Sequence, residues 1–272
     1  MGCGWRSSVS IIGRYRGILN TPRGGWTPDR LGAAMVLWLD AADPASQVVA
    51  GNQLAQWNDK SLFGRQFTQP LSIRRPTLAL NSQNGLPGVS FNGFSQSMSL
   101  TSSWVLTGNP EFSAFVIYRK RTLTQGSVYA WGSTSVALGS MILFDNNVLT
   151  GYAYAGDNNF RIQPVPANTT VIQSVLKTPG RIDTTTQAFR DGANTDAGGH
   201  STLVPNLQGG PLWIGGFNDL AEFYLNGIIY EMVITSTSLP EVLHRTVEGY
   251  MAHRWGTFES LTPDHPFRFV AP

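Results

Sequence analysis

From residue 35 onward the chain is a succession of short apolar or β-branched runs, each closed by a cluster of turn-forming residues. The runs are Met35–Leu39, Val89–Phe91, Ser97–Leu100, Phe112–Tyr118, Val128–Trp131, Met141–Phe144, Val148–Tyr154, Val171–Leu176, Thr185–Phe189, Leu212–Ile214 and Gly227–Thr235. Between them lie Asp145-Asn146-Asn147, Gly156-Asp157-Asn158-Asn159 and Asp191-Gly192, residues that tolerate positive φ or bond their own backbone. After Asp40, the segment Ala41-Ala42-Asp43-Pro44 reads as a turn, because Pro cannot extend a central strand. Many short strands separated in this way predict an all-β, two-sheet antiparallel sandwich rather than alternating β and α units. The alternation in Ile228–Ile234 places Ile228, Tyr230, Met232 and Ile234 on one face, with Ile229, Glu231 and Val233 on the other.

One helix interrupts the pattern. Ser238-Leu239-Pro240-Glu241 has the form of a capping box with Pro in the first turn. Leu243, Val247, Tyr250 and Met251 then form one apolar stripe, His244, Arg245, Glu248 and Arg254 take other faces, and Gly256 is a terminator. The expectation is a helical lid packed on a sheet edge.

Composition narrows the function classes. Charged residues make up 13% of the 272, against about 25% in an average soluble domain, while 42% are apolar, enough for a real core. No run approaches the roughly 18 apolar residues of a membrane-crossing helix, so no membrane partner is expected. The single cysteine, Cys3, excludes an intramolecular disulfide framework and a Cys-based zinc site. The charge is unevenly placed: residues 1–31 hold Arg6, Arg14, Arg16, Arg23 and Arg30 against Asp29 alone, a surplus of +4, within a total of +2. This basic arm has no apolar core with a cleavage site, so it does not read as a secretory signal. Its glycines and Pro22 would break a transit-peptide helix. Two readings stand: the arm drapes over its own domain, or it docks on a neighbouring subunit. The domain division is therefore an arm at 1–31 and a sandwich at 32–272.

Several stretches together resemble the concanavalin A-like lectin/glucanase superfamily in its laminin-G-like jelly-roll form. They are Leu37-Trp38-Leu39-Asp40-Ala41-Ala42-Asp43, Gln56-Trp57-Asn58-Asp59-Lys60-Ser61, Arg75-Pro76-Thr77 and the stretch from Asn84 to Gly93. Phe189-Arg190-Asp191-Gly192, Leu212-Trp213-Ile214-Gly215-Gly216 and the stretch from Phe223 to Glu231 follow. The tail from Val247 to Gly256, then Leu261 to Phe267, is the most specific piece. The resemblance spans roughly residues 35–268 and leaves out the arm. It implies a relative of the sandwich domains of tailed-phage virion proteins and bacterial surface proteins.

Glucanases of that superfamily set three acids on one strand face, because glycoside hydrolysis needs paired carboxylates at a defined separation. Here Glu222, Glu231, Glu241 and Glu248 have no acid two residues away, and Asp183 stands alone. The close pair Asp40 and Asp43 straddles the turn and reads as turn and cap bonds. No nucleophile elbow, zinc-protease helix or phosphate-binding Gly-Lys loop is present. His200, His244, His253 and His265 are scattered, and His253 and His265 read as ring packing and capping. No catalytic residue, cofactor or resident metal is expected.

Binding is the remaining chemistry. A glycan site would combine an aromatic face with amides and carboxylates on rim loops: Trp131, Asp145, Asn146, Asn147, Tyr152, Asp157, Asn158 and Asn159. The same loops could offer oxygens to calcium, which needs six to eight; turn formation alone also accounts for them. The arm, through Arg6, Arg14, Arg16, Arg23, Trp26 and Arg30, fits a protein partner better than nucleic acid, because the body offers no basic stripe. The expectation is a non-catalytic, homo-oligomeric virion structural protein on the particle exterior, either capsid decoration or a tail-fibre component. It is anchored to other virion proteins by residues 1–31. The alternative is an adhesion module that recognises host surface polysaccharide.

Overall fold

The computed structural model describes residues 25–123, 126–132, 139–145, 148–152, 159–217 and 223–272. In chain order the first strands are β1 (Met35–Asp40), β2 (Gln47–Ala50), β3 (Gln53–Asn58), β4 (Gln66–Thr68), β5 (Thr77–Gln83), β6 (Leu86–Asn92), β7 (Met98–Leu100) and β8 (Phe112–Lys120). There follow β9 (Ser127–Gly132), β10 (Gly139–Asp145), β11 (Val148–Tyr152), β12 (Asn159–Ile162) and β13 (Thr170–Lys177). A short helix α1 (Ile182–Thr185) precedes β14 (Thr186–Arg190), β15 (Ala193–Asn194), β16 (Trp213–Ile214), β17 (Asn226–Thr235) and the long helix α2 (Glu241–Arg254). Asp183, expected alone on a strand, lies in α1 and pairs with Arg181.

The fold is the expected antiparallel sandwich. One layer runs β15–β14–β13–β8–β17. The far edge of β17 is shared by β6 along Asn226–Ile229 and by β1 along Glu231–Thr235. The other layer runs β4–β7–β16–β9–β10–β11–β12, and β5 and β3 carry the pairing from one layer round to the other. Phe112 of β8 meets Trp131 of β9 edge to face, centroids 5.5 Å apart, where the inner faces pack.

Two features depart from the simple alternation. The β17–β8 register shifts between Ile229 and Glu231. Ile228 opposes Arg119 while Glu231 opposes Ile117, so Ile228 shares the face of Glu231 and Val233, not that of Met232 and Ile234. A one-residue bulge flips every side chain beyond it. It falls where the neighbour of β17 changes from β6 to β1.

The helix also differs. It starts at Glu241 with Pro240 in the cap position and no side-chain cap bond, so the capping box does not form. The backbone N–H of Leu239 instead donates to Ser113 Oγ at 2.8 Å, holding the approach to the helix extended along β8. Gly256, at φ +69, ends it as expected. Far from lying on an edge, α2 crosses the outer face of the first layer. His244 meets Ser174 of β13, Phe115 of β8 and Phe189 of β14, and Tyr250 and Trp255 reach Glu231 of β17. Both faces of that layer are therefore covered. His244 and Glu248 are buried with Val247, Tyr250 and Met251, while Leu243 is 36% exposed.

The end of the arm belongs to the body. Residues Pro28–Ala34 form a 3₁₀ segment, and the ring of Trp26 packs edge-on against Tyr250 of α2, centroids 5.7 Å apart. Arg30 is exposed on that segment, its N–H bonded to Thr27 O. Trp26 and Leu31 pack against the core, and Arg6, Arg14, Arg16 and Arg23 lie outside the described residues.

Candidate functional site

Two clusters concentrate the ionisable groups of the described residues, and both lie where α2 meets the outer face of the first layer. At the first, β1 ends in Asp40 and β17 supplies Glu231 directly opposite. Both carboxylates are fully buried. Asp40 Oδ1 accepts the Ala42 N–H at 2.9 Å, and Asp43 accepts that of Ala45 at 3.0 Å, the turn and cap bonds expected of that pair. Lys60 then bridges them, 3.0 Å from Asp40 and 2.8 Å from Asp43. The Lys60 hydrogen bond holds the Asp43 carboxyl below its usual range, although partial burial opposes it. Against its own burial, the two carboxylates raise the Lys60 ammonium.

Glu231 sits in a cage of donors. The indoles of Trp38 and Trp255 each donate at 2.7 Å, the Tyr250 hydroxyl donates at 3.0 Å, and Arg254 Nε stands 3.5 Å away. Burial and the Asp40 charge push its pKa up, while Arg254 and the two indoles pull it back. Arg254 also donates to Asp40 Oδ2 at 2.8 Å. The guanidinium thus fills the space between the two acids. Paired carboxylates hydrolyse a glycoside only when a sugar and a water can enter between them, and here that space is taken.

The second cluster looks at first like a nucleophile with its base. Ser174 Oγ is 2.8 Å from His244 Nε2, and Glu248 is 3.1 Å from the same nitrogen. In a Ser–His–acid relay the serine and the acid bond opposite ring nitrogens. Here both crowd Nε2, and Ser174 donates directly to Glu248 at 3.0 Å. His265 and Arg245 approach the other Glu248 oxygen at 3.3 and 3.4 Å. Despite deep burial, the His244 and His265 hydrogen bonds hold the Glu248 carboxyl down to about 2. The cluster fastens the C-terminal tail, through His265, to helix and sheet. His253 does the same on the next turn: its Nε2 lies 2.7 Å from Phe267 O and its ring stacks on Phe258.

Of the sequence-predicted glycan residues, Trp131 is a core residue: it is fully buried, stacked on Tyr129 and packed against Trp104 and Phe112, with no ring face for a sugar. Asp145 ends β10, paired with Val148. Tyr152 ends β11, paired with Asn159 at the start of β12. Asn146, Asn147, Asp157 and Asn158 lie outside the described residues. The Asp145–Val148 and Tyr152–Asn159 pairs sit at opposite ends of β11. Among the described residues no group of three or more His, Cys, Asp or Glu could hold a metal ion.

Lys60, Glu231 and Arg254 form a unit that no local sequence pattern groups. A signal was available: an acid in the middle of an otherwise apolar strand, Ile-Ile-Tyr-Glu-Met-Val-Ile, must find buried donors.

No family model matches this chain, and no curated protein does. Solved structures do. Trypanosoma rangeli sialidase in complex with sialic acid aligns over 79% of this chain and 33% of its own, with 12% identity and a TM-score of 0.51. The botulinum neurotoxin serotype D/C VPI 5993 binding domain aligns over 82% of this chain and 52% of its own, with 11% identity and a TM-score of 0.53. The chain thus spans about a third to a half of these neighbours. At such identity the likeness reaches the fold and goes no further: this chain is a β-sandwich similar to those found in a sialidase and in a toxin binding domain.

Proposed function

We propose that this chain is a non-catalytic virion structural protein, a lectin-like sandwich displayed on a particle exterior and tethered by its basic N-terminal segment. One observation carries the non-catalytic half: Arg254 fills the gap between the buried acids Asp40 and Glu231, leaving no place for a substrate. The tethering half rests on the resemblance and on the charge placement. Trp26 packs on the body, so the tether is residues 1–24, which retain Arg6, Arg14, Arg16 and Arg23 with no acid.

The test is deletion of residues 1–24 in a particle-assembly system. The shortened chain is expected to keep its circular dichroism and melting temperature yet fail to enter particles. Incorporation at the parental level would overturn the tether. A cut at residue 31 is a poorer test, because it strips Trp26 from Tyr250.

A second reading, a glycan-binding adhesion module, is favoured by the sandwich likeness to a sialidase in complex with sialic acid and to a toxin binding domain. A glycan array of bacterial polysaccharides tests it, with silence across the array counting against it. Sugar release from any of them, lost on substituting one acid, would overturn the non-catalytic reading.

A further inference from the structure

We propose that Asn84 is a site of slow chemical modification, a deamidation whose product unfastens the C-terminal end of α2. The chain has three Asn-Gly pairs, Asn84-Gly85, Asn92-Gly93 and Asn226-Gly227. Each meets the local requirement, because glycine carries no side chain to shield its backbone nitrogen. In the reaction that nitrogen attacks the asparagine Cγ, a C–N bond forms, and the side-chain nitrogen leaves as ammonia. Water then opens the cyclic imide at one of its two carbonyls, giving aspartate or the isomer linked through its β-carboxyl. The only co-reactant is water, so what decides among the three pairs is how firmly the fold holds the reacting groups.

Asn92 is held on both sides of the reaction. Its Oδ1 accepts the N–H groups of Phe94, Ser95 and Gln96 at 3.0, 3.1 and 3.3 Å, and the Gly93 N–H donates to Leu225 O at 2.9 Å. One net hydrogen bond is worth about a fivefold factor, so giving up these four slows the attack by on the order of a hundredfold. Asn226 opens β17, and Gly227 is buried between two strands, opposite Phe91 of β6 and Lys120 of β8. A Cβ there would lie 2.7 Å from Arg119 O, so the backbone has no room to turn.

Asn84 and Gly85 are instead the two-residue loop of the β5–β6 hairpin, both exposed and both at positive φ, 49° and 75°. They lie outside the ladder, whose last pair is Gln83 with Leu86. A Cβ built on Gly85 meets nothing within 4 Å, so the loop has open space to turn in without breaking a strand bond. One hydrogen bond engages the reacting amide: Nδ2 donates to Arg254 O at 3.0 Å.

Losing that bond is the consequence. Arg254 is the last residue of α2, and its guanidinium joins Asp40 to Glu231. The neighbouring Gln83 Nε2 donates to Trp255 O at 3.0 Å, so the hairpin tip satisfies carbonyls that a helix leaves open at its end. The Asn84 side chain also fills the space beside Gly256, where a Cβ would come within 2.9 Å of its Cγ. A carboxylate at this position has no N–H to give Arg254 O and sets negative charge against the negative end of the helix. The isomerised linkage adds a carbon to the main chain of a two-residue loop.

The test incubates the full chain at mildly alkaline pH and 37 °C, folded in buffer and unfolded in guanidinium chloride. Digestion and fragment-ion mass spectrometry follow each asparagine separately. Unfolded, the three pairs are expected to convert at similar rates. In the folded protein Asn84 is expected to convert on the order of a hundredfold faster than Asn92, and faster than Asn226. Asn92 or Asn226 keeping pace with Asn84 in the folded protein would overturn the site, as would an Asn84 that converts only in guanidinium chloride. Asn84→Asp tests the consequence. It is expected to melt about 3 °C below the parent, the shift that one lost hydrogen bond produces in a chain of this size. An unchanged melting temperature in that variant and in fully aged protein would overturn the unfastening of α2.

Discussion

Removing the Glu231 carboxylate tests the account of the buried cage most directly. In Glu231→Ala, three donors lose their acceptor, Trp38 Nε1, Trp255 Nε1 and Tyr250 OH, and Arg254 keeps only Asp40. Breaking a buried ion pair by deleting one partner costs about 3–5 kcal/mol, and each orphaned buried donor adds about 1 kcal/mol. The sum, on the order of 6 kcal/mol, approaches the whole stability of many domains, so the variant is expected to be largely unfolded at 37 °C. Glu231→Gln is the more informative change. Its carboxamide oxygen satisfies one side of the cage, but its NH₂ group meets an indole N–H on the other, a clash of donors costing about 2 kcal/mol. Adding Trp38→Phe removes one of those N–H groups. The double variant is therefore expected to be about 1 kcal/mol more stable than the sum of the two single changes. Urea unfolding followed by far-ultraviolet circular dichroism measures all four proteins. A Glu231→Gln protein within 0.5 kcal/mol of the parent, or strict additivity with Trp38→Phe, would refute the reasoning that the cage is built from donors around an acceptor.

Glu248 predicts a pH dependence: its folded pKa is depressed from an ordinary 4.5 to about 2, so its stabilisation is complete above pH 4.5 and is lost as pH falls toward 2. That loss is worth about 3 kcal/mol at 1.36 kcal/mol per unit, and Glu248→Gln should flatten the acid limb of a urea-midpoint profile between pH 6 and 2.5; parallel profiles would sink the assignment. Gly249→Ala places a Cβ 2.5 Å from Phe267 Cβ. Overpacking of about 1–3 kcal/mol should outweigh the roughly 1 kcal/mol gained in helix propensity, with Phe267→Ala rescuing part of the melting temperature. Trp26→Ala should lower stability by about 2 kcal/mol through loss of a half-buried ring, and an unchanged melting temperature would return residues 25–31 to the tether.

The sequence announced its central strands because apolar and β-branched runs such as Phe112–Lys120 and Asn226–Thr235 are buried on both faces and carry little else. It passed over β2, β3 and β5, whose mixed residues Gln47–Ala50, Gln53–Asn58 and Thr77–Gln83 lie on half-exposed strands where burial imposes no clean period. The Asp191-Gly192 turn was legible for a local reason. Both residues take positive φ, 51° and 87°, which joins β14 to β15 as a two-residue hairpin.

What the amino-acid order determined alone is therefore the class of fold, the turns, the presence and end of α2, and the concentration of positive charge in the first residues, all properties of short stretches. Tertiary structure decided the rest. The bulge at Tyr230, the helix across a sheet face, the burial of Trp131 and the meeting of Asp40, Glu231 and Arg254 join residues up to 214 positions apart. No local period encodes such a meeting, because the cost of burying a charge is settled only by whichever distant donors the packed layers bring to it.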